Sequence, residues 1–367
     1  MKNIQKRILL ILSVMMLAAG CSQVSSQPDI TSAASGEMKI TYIYIGQGDA
    51  TLIQTDDAAM LIDTGEYGQK ETLLAELSAA GVEKLDYLIL THPDSDHIGA
   101  GDVVIENYDV KNVIMPDLER DTKVYQYAVE AIEEAAVNVI NPEVGEEYPL
   151  GDARFVIIGP YQVYENDSNN SSVGIKLAHG DNTFLFTGDA EEPEESEMAE
   201  GSIDLECDVL KCGHHGSRTA TSAAFLEAAD PTWAVISCGA ANQYGFPHSD
   251  VVAQLEDDDV QIYRTDIMGT ITAVSNGTTI AWNGAIGQIS AQPESYSKPS
   301  EPDADTSDTA TQEEQAQIYI LNTNTKKIHQ PDCSSVETIA SNNRRETRES
   351  QKILESEGYT RCQRCNP

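Results

Sequence analysis

The chain is short of positive charge. Against 60 Asp and Glu it carries 23 Lys and Arg, for a formal net charge of −37. The imbalance is uneven: the first twenty residues hold Lys2, Lys6 and Arg7 and no acid, and from Ile318 onward eight Lys/Arg face six Asp/Glu. The middle of the chain therefore carries essentially all of the negative excess. So acidic a body repels phosphate backbones at long range, which argues against a general nucleic-acid coat protein but leaves room for a local metal site. Long apolar runs are missing as well. The run from Ile8 to Gly20, behind those three cations, is too short for a permanent membrane-spanning helix and has the form of a signal-peptide core. Cysteine is scarce: Cys21, then Cys207, Cys212 and Cys238 scattered in the middle, then Cys333, Cys362 and Cys365 at the end. That spacing does not make a disulfide framework. What is present, 40% hydrophobic residues in a chain of 367, is enough for a packed core and excludes disorder of the whole.

Leu17-Ala-Ala-Gly-Cys21 resembles a lipobox. That resemblance implies a signal peptide over 1–20 and lipidation of Cys21, which would place the mature protein on the extracytoplasmic face of a bacterial cell membrane by its lipid alone. Residues 21–37 are small and polar and read as a tether. Periodic structure is expected over 38–287, with strands at 39–46, 50–55, 59–63, 86–91, 154–159 and 232–239 and a hairpin over 173–189. Helices are expected over 71–81, 121–138 and 219–229. Strands and helices mixed in two similar halves point to two packed sheets with helices outside. From 288 to 315 the composition falls to Ser, Pro, Glu, Asp, Thr and Gln, which reads as a disordered linker. Residues 316–367 then form a small separate module.

The chemistry concentrates in LTHPDSDHIGA, residues 90–100. It holds His92, Asp94, Asp96 and His97, and alternating imidazoles and carboxylates leaving a buried strand suit a divalent metal. Asp63, Asp189, His214, His215 and His248 also follow short apolar runs, where strand ends can share a rim. The motifs GQGDATLI (46–53), MLIDTG (60–65), THPDSDHIG (91–99), NNSSVGIKL (169–177), FLFTGDAE (184–191), LKCGHHGS (210–217), YGFPH (244–248) and YRTDIMGTI (263–271) resemble, in this order, those of metallo-β-lactamase-fold hydrolases of the ComEC competence type.

The resemblance implies an α/β (α+β) architecture, a four-layer αββα sandwich with the metal site at one edge. It implies His92, Asp94, Asp96, His97, Asp189 and His215 as ligands of one or two Mn, Mg or Zn ions, with Asp189 bridging. Asp96 would orient the water, His214 or His248 would protonate the leaving oxygen, and Asn169, Ser217 and Arg218 would contact phosphate. Asp94 stands where the superfamily commonly has a second histidine, and that carboxylate favours Mn²⁺ or Mg²⁺ over a zinc pair. Phe246 stands where the subfamily often has histidine.

At the end of the chain, His329, Cys333, Cys362 and Cys365 make a soft tetrahedral set, and the tail resembles small zinc modules of the Ada type, which implies a structural zinc. The expected activity is hydrolysis of phosphodiesters, most simply extracellular DNA. Wall polymers or small phosphoesters are the enzymatic alternative, and non-catalytic capture of DNA or wall the other. No protein partner is identifiable.

Overall fold

The computed structural model describes residue 34, residues 36–283 and, toward the C-terminus, 319–323, 325–329, 336, 339, 343–347, 354 and 359–362. The chain divides into two compact units, Met1–Ser290 and Ala291–Pro367. The expected signal peptide, Cys21 and the 288–315 linker lie outside the described residues. Among those described, no helix is long and apolar enough to cross a membrane.

The first unit holds two large sheets. One has eight strands, in the order Ile280–Asn283, Ile271–Ser275, Met38–Tyr42, Thr51–Gln54, Ala59–Ile62, Tyr87–Ile89, Asn112–Ile114 and Asn138–Ile140. The other has seven: Gln261–Arg264, Trp233–Ile236, Val209–Lys211, Asn182–Phe186, Gly174–His179, Ala153–Gly159 and Glu147–Leu150. Alternation along each strand sorts side chains to two faces. Ile40, Tyr42, Ile53, Met60 and Ile89 of the first sheet meet Phe155, Ile157, Leu177, Phe184 and Val235 of the second. Their neighbours Leu52, Leu61 and Leu88 point outward, under Leu73 and Leu77 of the helix Lys70–Ala79, Val104 of Gly101–Asn107 and Ile132 of Lys123–Glu134. On the far side Val156, Leu185, Leu210 and Ala234 lie under Met198, Phe225, Leu226 and Leu255, from helices Glu192–Glu200, Ala223–Ala229 and Ser249–Asp257. Each such fully buried aliphatic or aromatic side chain contributes about 1.5–3 kcal/mol. The result is the expected αββα sandwich.

Several boundaries differ from those read in the sequence. The first strand ends at Tyr42, after which Ile43–Ala50 turn toward the rim. The helix expected over 121–138 spans Lys123–Glu134, capped by Thr122, whose side chain accepts from Tyr125 N. It stops because Ala136 takes a φ of 51° and Asn138–Ile140 pairs in parallel with Asn112–Ile114. The helix expected from 219 starts at Ala223, where Ser222 caps it by accepting from Phe225 N. The final strands do not stay with the second half of the chain. Ile271–Ser275 pairs antiparallel with Met38–Tyr42, Met38 opposite Ser275, and so ties the end of this unit to its beginning.

The parallel ladders position the site. Met60–Ile62 runs beside Tyr87–Ile89, and Phe184–Phe186 beside Val209–Lys211 beside Trp233–Val235. The loops leaving their C-terminal ends meet at one rim, where ligands of open α/β sheets gather.

The second unit has a four-stranded sheet in the order Arg344–Thr347, Tyr319–Asn322, Lys327–His329, Thr360–Arg361. Tyr319, Leu321, Ile328, Leu354 and Tyr359 form one buried cluster, and Ile320, Val336 and Cys362 another.

Candidate metal centre

Three histidines point the same ring nitrogen into one space. His97 Nδ1 donates to Asp63 Oδ2 at 2.8 Å. His215 Nδ1 donates to the Ser237 carbonyl at 3.0 Å. His92 Nδ1 lies 3.1 Å from Thr91 Oγ1, whose own proton goes to Asp63 Oδ2 at 2.8 Å. A carbonyl and a carboxylate can only accept, so these partners assign a proton to Nδ1 of His97 and His215. All three Nε2 atoms face the interior, where His215 Nε2 meets Asp96 Oδ2 and those of His92 and His97 have no hydrogen-bond partner. Such outward hydrogen bonds are what orient metal-ligating histidines.

The carboxylates complete a cup. Asp49, His97, Asp189 and His215 each offer one donor atom, and these lie within 4.8 Å of one another. Asp189 Oδ1 is 3.2 Å from His97 Nε2, and Asp189 Oδ2 is 3.5 Å from His215 Nε2 and 4.0 Å from His92 Nε2. Asp96 Oδ2 is 3.2 Å from His215 Nε2. Four buried atoms here have no hydrogen-bond partner: His92 Nε2, His97 Nε2, Asp49 Oδ1 and Asp189 Oδ1. His97 Nε2 and Asp189 Oδ1 face each other as an ion pair. A buried polar atom left unpaired costs about 1–3 kcal/mol, and a cation among these donors would satisfy them. The residues present therefore fit a divalent metal.

The electrostatics agree. Burial opposes charge on His97, but the Asp189 and Asp63 carboxylates outweigh it and hold its pKa well above the ordinary histidine value. Burial likewise opposes charge on Asp189, and His97 and His215 outweigh it, holding that carboxyl well below the usual range. His92 moves the other way: burial and then the neighbouring His97 push it down. The field that keeps a proton on His97 is one a metal ion would use in its place, with release of that proton.

Local backbone is bent to build this cup. Asp63, His214 and His215 have φ of 60°, 46° and 56°. Left-handed backbone costs a non-glycine residue about 1–2 kcal/mol, and here it falls on consecutive residues at the site, where strain is usually found. Gly48, at φ 134°, brings the 46–50 turn so close that a Cβ would meet the Asp96 carbonyl oxygen at 2.5 Å. Asp49 N donates to that same oxygen at 3.1 Å.

The sequence-derived candidates separate into groups. His92, Asp96, His97, Asp189 and His215 converge. Asp94 Oδ1 accepts from Ser168 Oγ at 2.7 Å, and its charge acts on His92. His214 stands at the rim, its Nδ1 3.0 Å from Glu191 Oε1 and its Nε2 3.8 Å from Asp189 Oδ2. His248 accepts from Arg218 N at 3.0 Å. Asn169 Nδ2 donates to Glu191 Oε1 at 3.2 Å, Ser217 Oγ lies 2.9 Å from Thr219 Oγ1, and exposed Arg218 pairs with Asp250 at 3.3 Å. In the second unit, His329 is buried with Nδ1 unpaired among the described residues, and Cys362 N donates to Ile328 O at 2.9 Å. Cys333 and Cys365 lie outside the described residues.

Three residues went unread in the sequence. Asp49 joins the cup, and its Oδ2 accepts from the buried Lys211 Nζ at 2.8 Å. A lysine inside the apolar strand Val209–Lys211 was the available signal, because a buried ammonium needs a carboxylate. Glu191 gathers Asn169, Thr219 and His214. Glu194, 0% exposed, accepts from Ser172 N at 3.3 Å, while Ser172 Oγ accepts from Asp189 N at 3.1 Å. Nothing local marked those two glutamates apart from their many acidic neighbours.

Comparison with known proteins agrees with this geometry. Residues 43–240 match the metallo-beta-lactamase superfamily. ComE operon protein 3 of Bacillus subtilis is 32% identical over 284 residues, covering 71% of this chain and 36% of that protein. Competence protein ComA of Neisseria gonorrhoeae is 30% identical, covering 68% of this chain and 33% of its own length. The chain thus spans about a third of the curated relatives it matches. A solved structure, the metallo-beta-lactamase fold protein YhfI from Bacillus subtilis, aligns with a TM-score of 0.45 at 14% identity, over 68% of this chain and 100% of that one. The chain belongs to the metallo-beta-lactamase superfamily, with ComEC-type competence proteins among its relatives.

Proposed function

We propose that this protein is a metal-dependent hydrolase, a phosphodiesterase acting as a nuclease on extracellular DNA, held at the outer face of the membrane by a lipid on Cys21. The observation that carries the reading is the donor set: the carboxylates of Asp49, Asp96 and Asp189 share the cup with three imidazoles. So oxygen-rich a set favours Mn²⁺ or Mg²⁺. A metal bound there supplies electrophilic activation of water and of phosphoryl oxygens. The chain's own residues do the rest. Asp96, half-buried at the mouth, orients the incoming water, and His214, braced by Glu191, faces the side from which the leaving oxygen departs. Relatives named for competence and recombination support a DNA substrate. A structural zinc at His329, Cys333, Cys362 and Cys365 belongs to the same reading, supported by the buried Nδ1 of His329, unpaired among the described residues.

A second reading is a phosphoesterase for wall polymers or small molecules, and the net charge of −37 favours its small-molecule arm, because the body repels polyanions. One experiment tests both. Metal-free full-length protein is assayed on DNA and on bis-nitrophenyl phosphate with Mn²⁺, Mg²⁺ and Zn²⁺. Turnover of both substrates supports the nuclease, turnover of the small ester alone supports the second reading, and turnover of neither sinks phosphodiester chemistry.

A further inference from the structure

The segment after strand Trp233–Ile236 is shaped by one side chain. Asn242 Nδ2 donates to Gly239 O at 2.9 Å and Phe246 O at 2.7 Å, and its Oδ1 accepts from Tyr244 N at 3.1 Å and Phe246 N at 2.9 Å. Every hydrogen-bonding site of that amide is used, so the turn carrying Tyr244 and Phe246 is held from within. Tyr244 is nevertheless 55% exposed. Its inner face lies on Phe246, with centroids 5.4 Å apart and planes 15° from parallel. Phe246 in turn contacts His214 at 5.5 Å and His215 at 6.0 Å. A stair of rings therefore runs from the metal cup to open solvent.

We propose that Tyr244 is a stacking platform for a nucleobase of the substrate strand, beside the phosphodiester engaged at the cup. This rests on the nuclease reading and deepens it. The geometry favours a base over a quaternary ammonium group. Quaternary ammonium ions are taken by aromatic cages, whereas Tyr244 and Phe246 are stacked, so that one flat face is open. Stacking accepts any base because every base has a π-face. It also supplies strand affinity without positive charge, which this acidic body lacks.

The test measures binding separately from cleavage. Metal-free full-length protein is titrated with a labelled single-stranded oligonucleotide and with an abasic strand of equal length. The base-bearing strand is expected to bind about tenfold more tightly. Tyr244→Leu, which keeps apolar bulk without the ring, should abolish that preference, and Tyr244→Phe should retain it. Equal affinity for the two strands, binding of neither, survival of the preference in Tyr244→Leu, or displacement of the strand by tetramethylammonium but not by a mononucleotide would each overturn the platform. Cleavage with Mn²⁺ is followed in parallel. Turnover of both strands without a base preference keeps the nuclease and removes the platform, whereas base-selective binding without turnover does the reverse.

Discussion

Asp63 accepts the Nδ1 proton of His97 at 2.8 Å, on a ring whose Nε2 faces Asp189 at 3.2 Å. The same carboxylate takes Thr91 N and Thr91 Oγ1, both at 2.8 Å. One aspartate outside the cup therefore orients His97 directly and reaches His92 through Thr91 Oγ1. Loss of such a supporting carboxylate typically weakens metal affinity about 10–100-fold. Asp63→Asn should show a loss of that size for Mn²⁺ in calorimetric titration, with the far-UV dichroism retained. An unchanged dissociation constant would remove Asp63 from this role.

Lys211 and Asp49 are a buried ion pair that joins the second sheet to the turn leaving the first. Burial pulls the lysine pKa down, yet Asp49 more than offsets it and the net shift is upward. Removing one member of a buried pair costs about 3–5 kcal/mol. Lys211→Met should therefore lower the urea-unfolding free energy of the metal-free protein by about that much. The loss should shrink when Mn²⁺ is present to neutralise Asp49.

Glu195 carries a pH signature. Burial raises its carboxyl from 4.5 to about 7, against the opposing hydrogen bonds from Ser222 N, at 2.8 Å, and Thr221 N, while Glu192 adds a smaller upward push. Between those two values the folded state keeps a proton that the unfolded chain has released. Stability from this group is thus fully present below pH 4.5 and declines as pH rises to about 7, by on the order of 3 kcal/mol. Glu195→Gln should flatten that slope in denaturation curves taken from pH 4.5 to 7. Part of the slope should remain, because burial also pushes Glu194 up.

Gly48→Ala tests the seating of the 46–50 turn. The added methyl would meet backbone at 2.5 Å, and the φ of 134° is foreign to alanine. A cost of about 2 kcal/mol is expected, accompanied by weaker Mn²⁺ binding because Asp49 moves with the turn. Gly68→Ala, where nothing lies within 4 Å, is the matched control and should change neither quantity.

The parts of this molecule legible in its sequence are those written locally. His92, Asp96 and His97 lie within six residues of one another, and alternation of apolar residues marks the strands that end beneath them. Asp49, Glu191 and Glu194 were hidden because their partners lie far along the chain: Lys211 for Asp49, Asn169 and Thr219 for Glu191, and Ser172 for Glu194. Asp94 shows the converse: its spacing matches that of its neighbours, but its carboxylate accepts from Ser168, a residue 74 positions away. Helix ends slipped by a few residues for a similar reason, since Ala136 and Ser222 are set by pairing and capping rather than by hydrophobic period.

Asp96 and His215 are 119 residues apart, and Asp49 and Lys211 are 162 apart. A chain emerging from its N-terminus therefore presents HPDSDH long before it owns the other wall of the cup, and closing such long loops is slow. Until residues 209–215 have formed their strand, the early motif holds too few donors to compete for an ion. Any ion held by this cup is therefore held by residues that come together only when both sheets are complete.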